Sequence, residues 1–397
     1  MQNGAAAVLA SRPLDPSIPA IYVDDTVKAL QTIARCWRES LHFRSVGVTG
    51  SVGKTTTKGM IASVLKTAYV TQGTEENFNN SIGLPVTLLG LSENCEAAVL
   101  EMGMNHFGEI ALLTRLAQPD IAVITNVGTM HIENLGSREG ILRAKLEILE
   151  GLRPGGIAIF NGDNGLLAAV AKKYRALTFG LGKHNNVYAE GIRSSENQMN
   201  FTAVGFGRRI PITLPTVGEH TVVDALAAVT VGLCCGLTPE QIREGLLQFR
   251  NRGMRQNIYD RDSLHIIEDC YNAGPESMRA SLKVLARAQG RKIAVLGGML
   301  ELGDFAAQSH YLVGREAAET ADLLFAYGKN SEEYISGATD AGLENAWKFD
   351  THEALTAALQ AALRPGDTIL VKGSRGMKME QVLQNLDTSK IGGKENG

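Results

Sequence analysis

Short apolar runs that end on polar or glycine-rich positions recur along this chain. Between them lie stretches whose apolar residues return every three or four positions. The first pattern predicts buried strands and the second amphipathic helices. Strands are expected over 46–49, 97–101, 121–125 and 157–160, with helices beginning near Thr56, Gly108 and Ser137. Such alternation implies an α/β fold with a mainly parallel sheet covered on both faces. Antiparallel strands over 185–215 extend that unit, and helices from Glu219 and Pro239 close it. A charged, glycine-interrupted segment, 249–255, reads as a hinge. Beyond it a second α/β unit is expected, with strands over 265–269, 292–297, 323–327 and 368–371 and helices from Pro275, Ser309 and Thr351. Ahead of both, residues 1–43 hold two short strands (6–9 and 21–23) and a helix over 27–37 capped by Thr26, too little chain for a core of its own. The expected division is 1–43, 44–252 and 253–397.

Composition narrows the classes. The chain has 397 residues, 44% apolar and 20% charged, as in a soluble globular protein of two or three domains. A net charge of -3 argues against bulk attraction to nucleic acid or to an anionic membrane. The five cysteines have no zinc-type spacing and suit reduced, packed thiols in the cytoplasm; Cys234-Cys235 lies in an apolar helical stretch. That stretch, 225–237, is too short to span a bilayer and reads as a buried helix. The N-terminal alanines lack the basic flank and length of a signal peptide. The expectation is a cytoplasmic protein without membrane insertion, acting as a monomer.

Chemistry gathers at the predicted strand ends, where ligands bind in open parallel sheets. Thr49-Gly50-Ser51-Val52-Gly53-Lys54-Thr55-Thr56 joins the first strand to its helix. Glycines there let amides approach phosphate oxygens, Lys54 can reach the β/γ-phosphates, and Thr55 can ligate Mg²⁺. Val48 stands where the strict phosphate-loop pattern has its first glycine. ATP is therefore the expected ligand. Glu101 ends the second strand, and Asn126 and His131 follow the third. Alone, Glu101 suits a solvated strand end and His131 a polar loop; together with Thr55 they offer a hydroxyl, a carboxylate and an imidazole to Mg²⁺. Lys145 falls on the apolar face marked by Ile141, Leu142, Ile148 and Leu149. Either its stem packs while the charge escapes to solvent or toward Glu147, or the amine is chemically modified into an acidic ligand.

Three strand ends of the second unit are also polar or glycine-rich: Glu268-Asp269-Cys270-Tyr271-Asn272, Gly297-Gly298-Met299-Leu300-Glu301-Leu302-Gly303 and Lys372-Gly373-Ser374-Arg375-Gly376. Together with the phosphate loop, Asn77-Phe78-Asn79-Asn80, Leu100-Glu101-Met102-Gly103, Thr125-Asn126-Val127-Gly128, Ala144-Lys145-Leu146-Glu147 and Gly253-Met254-Arg255-Gln256-Asn257, the chain resembles the Mur ligase family. The resemblance implies a central phosphate-loop ATPase domain, a C-terminal Rossmann-like α/β domain, and a truncated N-terminal domain for a UDP-linked substrate. It implies ATP-driven amide formation through an acyl phosphate, joining D-alanyl-D-alanine to UDP-N-acetylmuramoyl-tripeptide for peptidoglycan synthesis. Two Mg²⁺ ions are implied, with Lys145 carbamylated to hold the second beside His131 and Glu101. By the same resemblance Asn79 and Asn80 face the sugar-nucleotide peptide, Asn272 and Arg255 the nucleotide, and His310, Lys372 and Ser374 the far wall of the cleft. Lys54, His131 and Lys145 are the expected catalytic groups.

Three departures from the family pattern stand out. The opening piece is short, Thr221 and Asp224 replace amides of a Gly-x-His-Asn-x-x-Asn string, and Gly274 replaces a second asparagine. A ligase for another amine, or a nucleotide-binding remnant without ligase activity, are the alternatives these departures leave.

Overall fold

In the computed structural model, residues 4–195, 197–251 and 253–391 are described; Arg252 of the expected hinge lies outside them. Strands β1 (Val8–Ala10) and β2 (Ala20–Tyr22) pair in parallel at the start of the chain. A nine-stranded sheet follows, built from β3 (Arg44–Thr49), β4 (Thr71–Gly73), β5 (Ala97–Glu101), β6 (Ile121–Ile124), β7 (Ile157–Asn161), β8 (Leu177–Gly180), β9 (Val187–Ser194), β10 (Met199–Gly205) and β11 (Arg208–Leu214). Its order is β11-β10-β9-β8-β7-β6-β3-β5-β4, parallel from β4 through to β9 and antiparallel from β9 to β11. The second sheet contains β12 (Asn257–Arg261), β13 (Leu264–Asp269), β14 (Lys292–Gly297), β15 (Leu323–Tyr327), β16 (Ala346–Phe349) and β17 (Thr368–Lys372), ordered β12-β13-β17-β14-β15-β16. Only the β12–β13 pairing is antiparallel there. Parallel-dominated sheets in both units agree with the α/β expectation.

The central strands are apolar throughout because helices cover both sheet faces. Val46, Val48, Ala97 and Val99 meet Met60, Ile61 and Val64 of the helix Lys54–Leu65 and Val222, Leu226 and Val229 of the helix Glu219–Cys234. The alternate positions, Ala98, Leu100, Ala122 and Ile124, pack on the other side with Ile110, Leu113, Ile141 and Ile148. That second cluster continues into the C-terminal unit through Met278, Leu282 and Leu296. Among the described residues no helix is long and apolar enough to cross a membrane.

Several boundaries differ from the sequence expectation for local reasons. The first helix is Thr26–Ser40 and its cap is Asp25, whose carboxylate accepts from the amides of Val27 and Lys28 at 2.9 and 3.0 Å, so Thr26 is inside. The helix after the glycine loop starts at Lys54 rather than Thr56. The helix expected to run on from Ser137 is Arg138–Leu146, capped by Ser137, and tightens into a 3₁₀ turn over Glu147–Gly151. Ala306, rather than Ser309, opens its helix. Strands β4, β8, β12 and β16 are short or edge elements whose sequences carry little apolar periodicity.

Candidate active site

Because β5, β3 and β6 are parallel neighbours, their polar C-terminal residues emerge at one edge. The β13, β17 and β14 ends do the same in the second sheet. A cavity of 590 Å³ lies between the two edges. Its lining includes Ser51 to Thr56, Asn79, Asn80, Glu101 and His131 from one side and Arg255, Asn272 and Lys372 from the other.

The loop after β3 is shaped by contacts that leave no room for a side chain. Gly50 has φ +154, and a Cβ there would stand 1.9 Å from Thr125 Oγ1; Gly53, at φ +81, precedes the helix. The Asn126 carboxamide accepts from the Ser51 and Val52 amides at 2.9 and 2.8 Å, and Thr125 Oγ1 donates to the Val52 carbonyl at 2.6 Å. The first bond of the helical ladder is Thr57 N to Gly53 O at 2.8 Å. The amides of Lys54, Thr55 and Thr56 therefore have no partner within the helix and face the cavity end, the arrangement that attracts phosphate oxygens. Lys54 Nζ folds back to the carbonyls of Gly50 at 2.8 Å and Ser51 at 3.3 Å. Burial holds its pKa below the usual lysine value, with Glu101 opposing and Arg255 assisting.

Glu101 is only 2% exposed. Its Oε1 accepts from Thr55 Oγ1 at 3.2 Å and Asn79 Nδ2 at 2.9 Å. Its Oε2 lies 3.7 Å from Lys58 Nζ and has no hydrogen bond, which leaves a buried carboxylate oxygen able to take a cation. His131 sits with φ 64 at the start of the short helix Ile132–Leu135, and its Nδ1 lies 2.5 Å from Glu301 Oε2 of the second unit. The close approach of the His131 ring holds the Glu301 carboxyl below its usual range, with burial opposing it. Lys145 is 1% exposed and has no hydrogen bond or ion pair among the described residues. Glu147, the partner considered for it, instead accepts from the amides of Gly108 and Ala111. Burial first, and the charge of Lys54 second, push the Lys145 pKa well below the ordinary lysine value.

On the opposite wall, Lys372 Nζ is 2.6 Å from Asp269 Oδ2 and 3.0 Å from the Asn272 carbonyl. Ser281 donates to the same Asp269 oxygen at 2.6 Å, and the Gln256 amide to the other at 3.2 Å. Gln256 Oε1 is 2.7 Å from His220 Nε2, so a polar chain links the helix Glu219–Cys234 to the second sheet. The Arg255 guanidinium lies 3.7 Å from the centre of the Tyr271 ring. Asp269, Gln256 and His220 were not singled out from sequence; the polar residue closing β13 was the available signal for Asp269.

Not every expected residue reaches the cavity. Thr49 is fully buried and donates to the Met102 carbonyl at 2.8 Å, so it and Gly50 support the loop from beneath. His310 is fully buried: Nε2 accepts from the Met299 amide at 2.9 Å, Nδ1 pairs with the Ala306 carbonyl, and the ring meets Tyr334 edge-on. Ser374 accepts from the Leu300 amide and donates to the Ala273 carbonyl. Both brace loops behind the wall, a correction to their expected place on it. The three departing residues Thr221, Asp224 and Gly274 also find structural roles. Thr221 Oγ1 donates to Gly218 O at 2.7 Å, Asp224 Oδ1 accepts from Thr57 Oγ1 at 2.8 Å, and a Cβ on Gly274 would stand 2.8 Å from Met130 Cγ.

Sequence and fold comparisons place the chain among known proteins. Residues 48–232 match the Mur ligase middle domain, and residues 254–375 match the Mur ligase, glutamate ligase domain. The UDP-N-acetylmuramoyl-tripeptide–D-alanyl-D-alanine ligase of Bacillus subtilis is 43% identical over 98% of this chain and 86% of its own length. The crystal structure of MurF from Acinetobacter baumannii superposes with a TM-score of 0.90 at 35% identity, covering 96% of this chain and 84% of that one. MurF of Thermotoga maritima in complex with ADP gives a TM-score of 0.87 at 29% identity, covering 96% and 88%. With matches on both sheets and a relative this similar along nearly its whole length, the chain belongs to the Mur ligase family.

Proposed function

We propose that this protein is an ATP-dependent ligase joining the amino group of D-alanyl-D-alanine to the terminal carboxylate of UDP-N-acetylmuramoyl-tripeptide. The 43% identity to the Bacillus subtilis ligase of that name supports the substrates. The observation that carries the reaction class is the cavity that puts the phosphate loop, Glu101 and the second sheet's polar edge on one space. ATP fits the unpartnered amides of the first helical turn and the ADP of the Thermotoga relative. In this reading residues 44–252 carry the nucleotide and residues 253–397 close the site. A single chain suffices for the reaction, which is assigned to the cytoplasm.

The residues present fit Mg²⁺. Thr55 Oγ1 and Glu101 Oε2, which no hydrogen bond occupies, would be the protein oxygens for a first ion, which would neutralise triphosphate charge. Among the described residues no three acidic, histidine or cysteine side chains form a ready-made metal cluster, so nucleotide phosphate oxygens would supply the further ligands. His131 and a carbamylated Lys145 would hold a second ion. An uncharged, buried amine is the form that adds CO₂, releasing one proton and leaving a carbamate anion where an ammonium would be costly.

The chain's own groups then position the reactants. Lys54, moved from the Gly50 and Ser51 carbonyls to the phosphate, steadies charge as the tripeptide carboxylate attacks the γ-phosphorus and ADP leaves. The amine attacks the resulting acyl phosphate, forming the C–N bond and releasing phosphate. No protein nucleophile is needed; alignment and charge neutralisation carry the rate. Asn79, tied to Glu101, and Asn80 stand on the side assigned to the sugar-nucleotide peptide. Arg255, Asn272 and Lys372 stand on the closing wall.

The test mixes protein, ATP, Mg²⁺, the UDP-linked tripeptide and D-alanyl-D-alanine and follows phosphate. Release is expected only when both substrates are present, with the pentapeptide product detected by mass. Phosphate release that ignores the dipeptide, or equal turnover with a single amino acid, would overturn the assignment.

A further inference from the structure

One acid inside the cavity has no part in the steps above. Asp224 lies on the helix Glu219–Cys234 where that helix passes beneath the phosphate loop, and it is 7% exposed. Its Oδ1 accepts from Thr57 Oγ1 at 2.8 Å. A Cβ built on Gly53 would stand 2.6 Å from Oδ1 and 3.4 Å from Oδ2, so the carboxyl forms the floor under the residue that opens the loop's helix.

No cation pairs with it among the described residues, because those around the cavity are engaged elsewhere. Lys54 donates to the Gly50 and Ser51 carbonyls, Lys58 to the Thr74 carbonyl with Glu101 close by, and Lys372 to Asp269. Arg255 stacks on Tyr271. On its own helix Glu219 is exposed and His220 is bound to Gln256, with burial disfavouring the imidazolium. Glu276, reaching across from the second unit, accepts from Thr129. A carboxylate at 224 would have one hydroxyl donor and would face the triphosphate with like charge. Burial pushes the Asp224 pKa up to about 8, Thr57 pulling the other way.

We propose that Asp224 is a nucleotide-site residue that works as the neutral acid, accepting from Thr57 and keeping the loop's floor free of negative charge, so that its ionisation weakens nucleotide binding. The inference rests on the ATP reading above. Neutral, it has one acceptor for Thr57 and one proton to donate; ionised, it has only acceptors and a charge repelling phosphate. Nucleotide binding above the midpoint therefore takes up a proton.

Calorimetry of MgADP binding to the full chain between pH 7 and 9.5, in two buffers of different ionisation heat, tests this. The affinity is expected to fall about tenfold from pH 7 to 9, with proton uptake approaching one at the upper end. In Asp224→Asn both the decline and the uptake should vanish. In Thr57→Val the midpoint should move upward, because the lost hydroxyl favours the charged form. A pH-independent wild-type affinity, a decline that persists in Asp224→Asn (which would belong to Lys54), or an unmoved midpoint in Thr57→Val each overturn the proposal. Two variants guard against one failing to fold, checked by thermal melting. Failure of the wild type to bind MgADP even at pH 7 discards the ATP reading itself, a result distinct from binding that ignores pH.

Discussion

Asp269 and Lys372 are direct register partners on β13 and β17, and their side chains close the pairing with a contact of 2.6 Å. Burial alone would raise the Asp269 pKa, but the Lys372 charge and hydrogen bonds from Lys372, Ser281 and Gln256 outweigh it, so the net shift is downward. A carboxyl lowered in the folded state stabilises above its unfolded pKa, and that contribution is lost as pH falls through the folded value. Denaturant unfolding should therefore show this pair's contribution intact from pH 7 to 5 and fading below the usual aspartate range. Lys372→Met, which strands the buried carboxylate, should cost about 3–5 kcal/mol at pH 7. A loss under about 1 kcal/mol would show the pair to be unimportant.

Lys145 separates catalysis from stability. Lys145→Met keeps the volume and removes a buried amine without partners, so the melting temperature should not fall. Turnover should drop by at least about a hundredfold, since the proposed second-ion ligand is gone. Added bicarbonate should rescue nothing in the variant, yet should restore wild-type protein assayed in CO₂-depleted buffer. Near-normal turnover by the variant would leave the carbamate without support.

Glu101→Gln tests the first ion. The amide still accepts from Asn79 but loses the charge at Oε2, the oxygen without a hydrogen bond. The free Mg²⁺ needed for half-maximal activity should rise about tenfold or more. An unchanged Mg²⁺ titration would remove Glu101 from the metal site.

His310→Ala and Ser374→Ala should behave as structural changes. Each strands a backbone amide, of Met299 or Leu300, and should cost about 1–3 kcal/mol of stability. KM values for ATP and both substrates should stay within about twofold. A large rise in the KM for the dipeptide would return these residues to the cleft wall.

The same contrast shows what was legible in the sequence. Lys145 was readable because helical spacing put it on an apolar face, and the structure buries it. Thr55 and Glu101 were readable because residues closing adjacent parallel strands must emerge at one edge. His310 and Ser374 were expected on the cleft wall through the family resemblance alone, and a position in sequence says nothing about which way a side chain turns. Gln256 and His220 lie within quoted motifs, but nothing local pairs one with the other; their contact spans the two units.

Periodicity, glycine placement and strand-end polarity determined the α/β class, the two sheets and the glycine loop between β3 and its helix, because each is a short-range property of a few neighbouring residues. Tertiary structure alone decided that Asn126 occupies the Ser51 and Val52 amides, that His131 turns to Glu301, and that Asp224 lies beneath Gly53 with Thr57 as its hydrogen-bond donor. Those outcomes depend on which distant groups share a low-dielectric space, and competition for hydrogen bonds and charge there is settled only once the chain has packed.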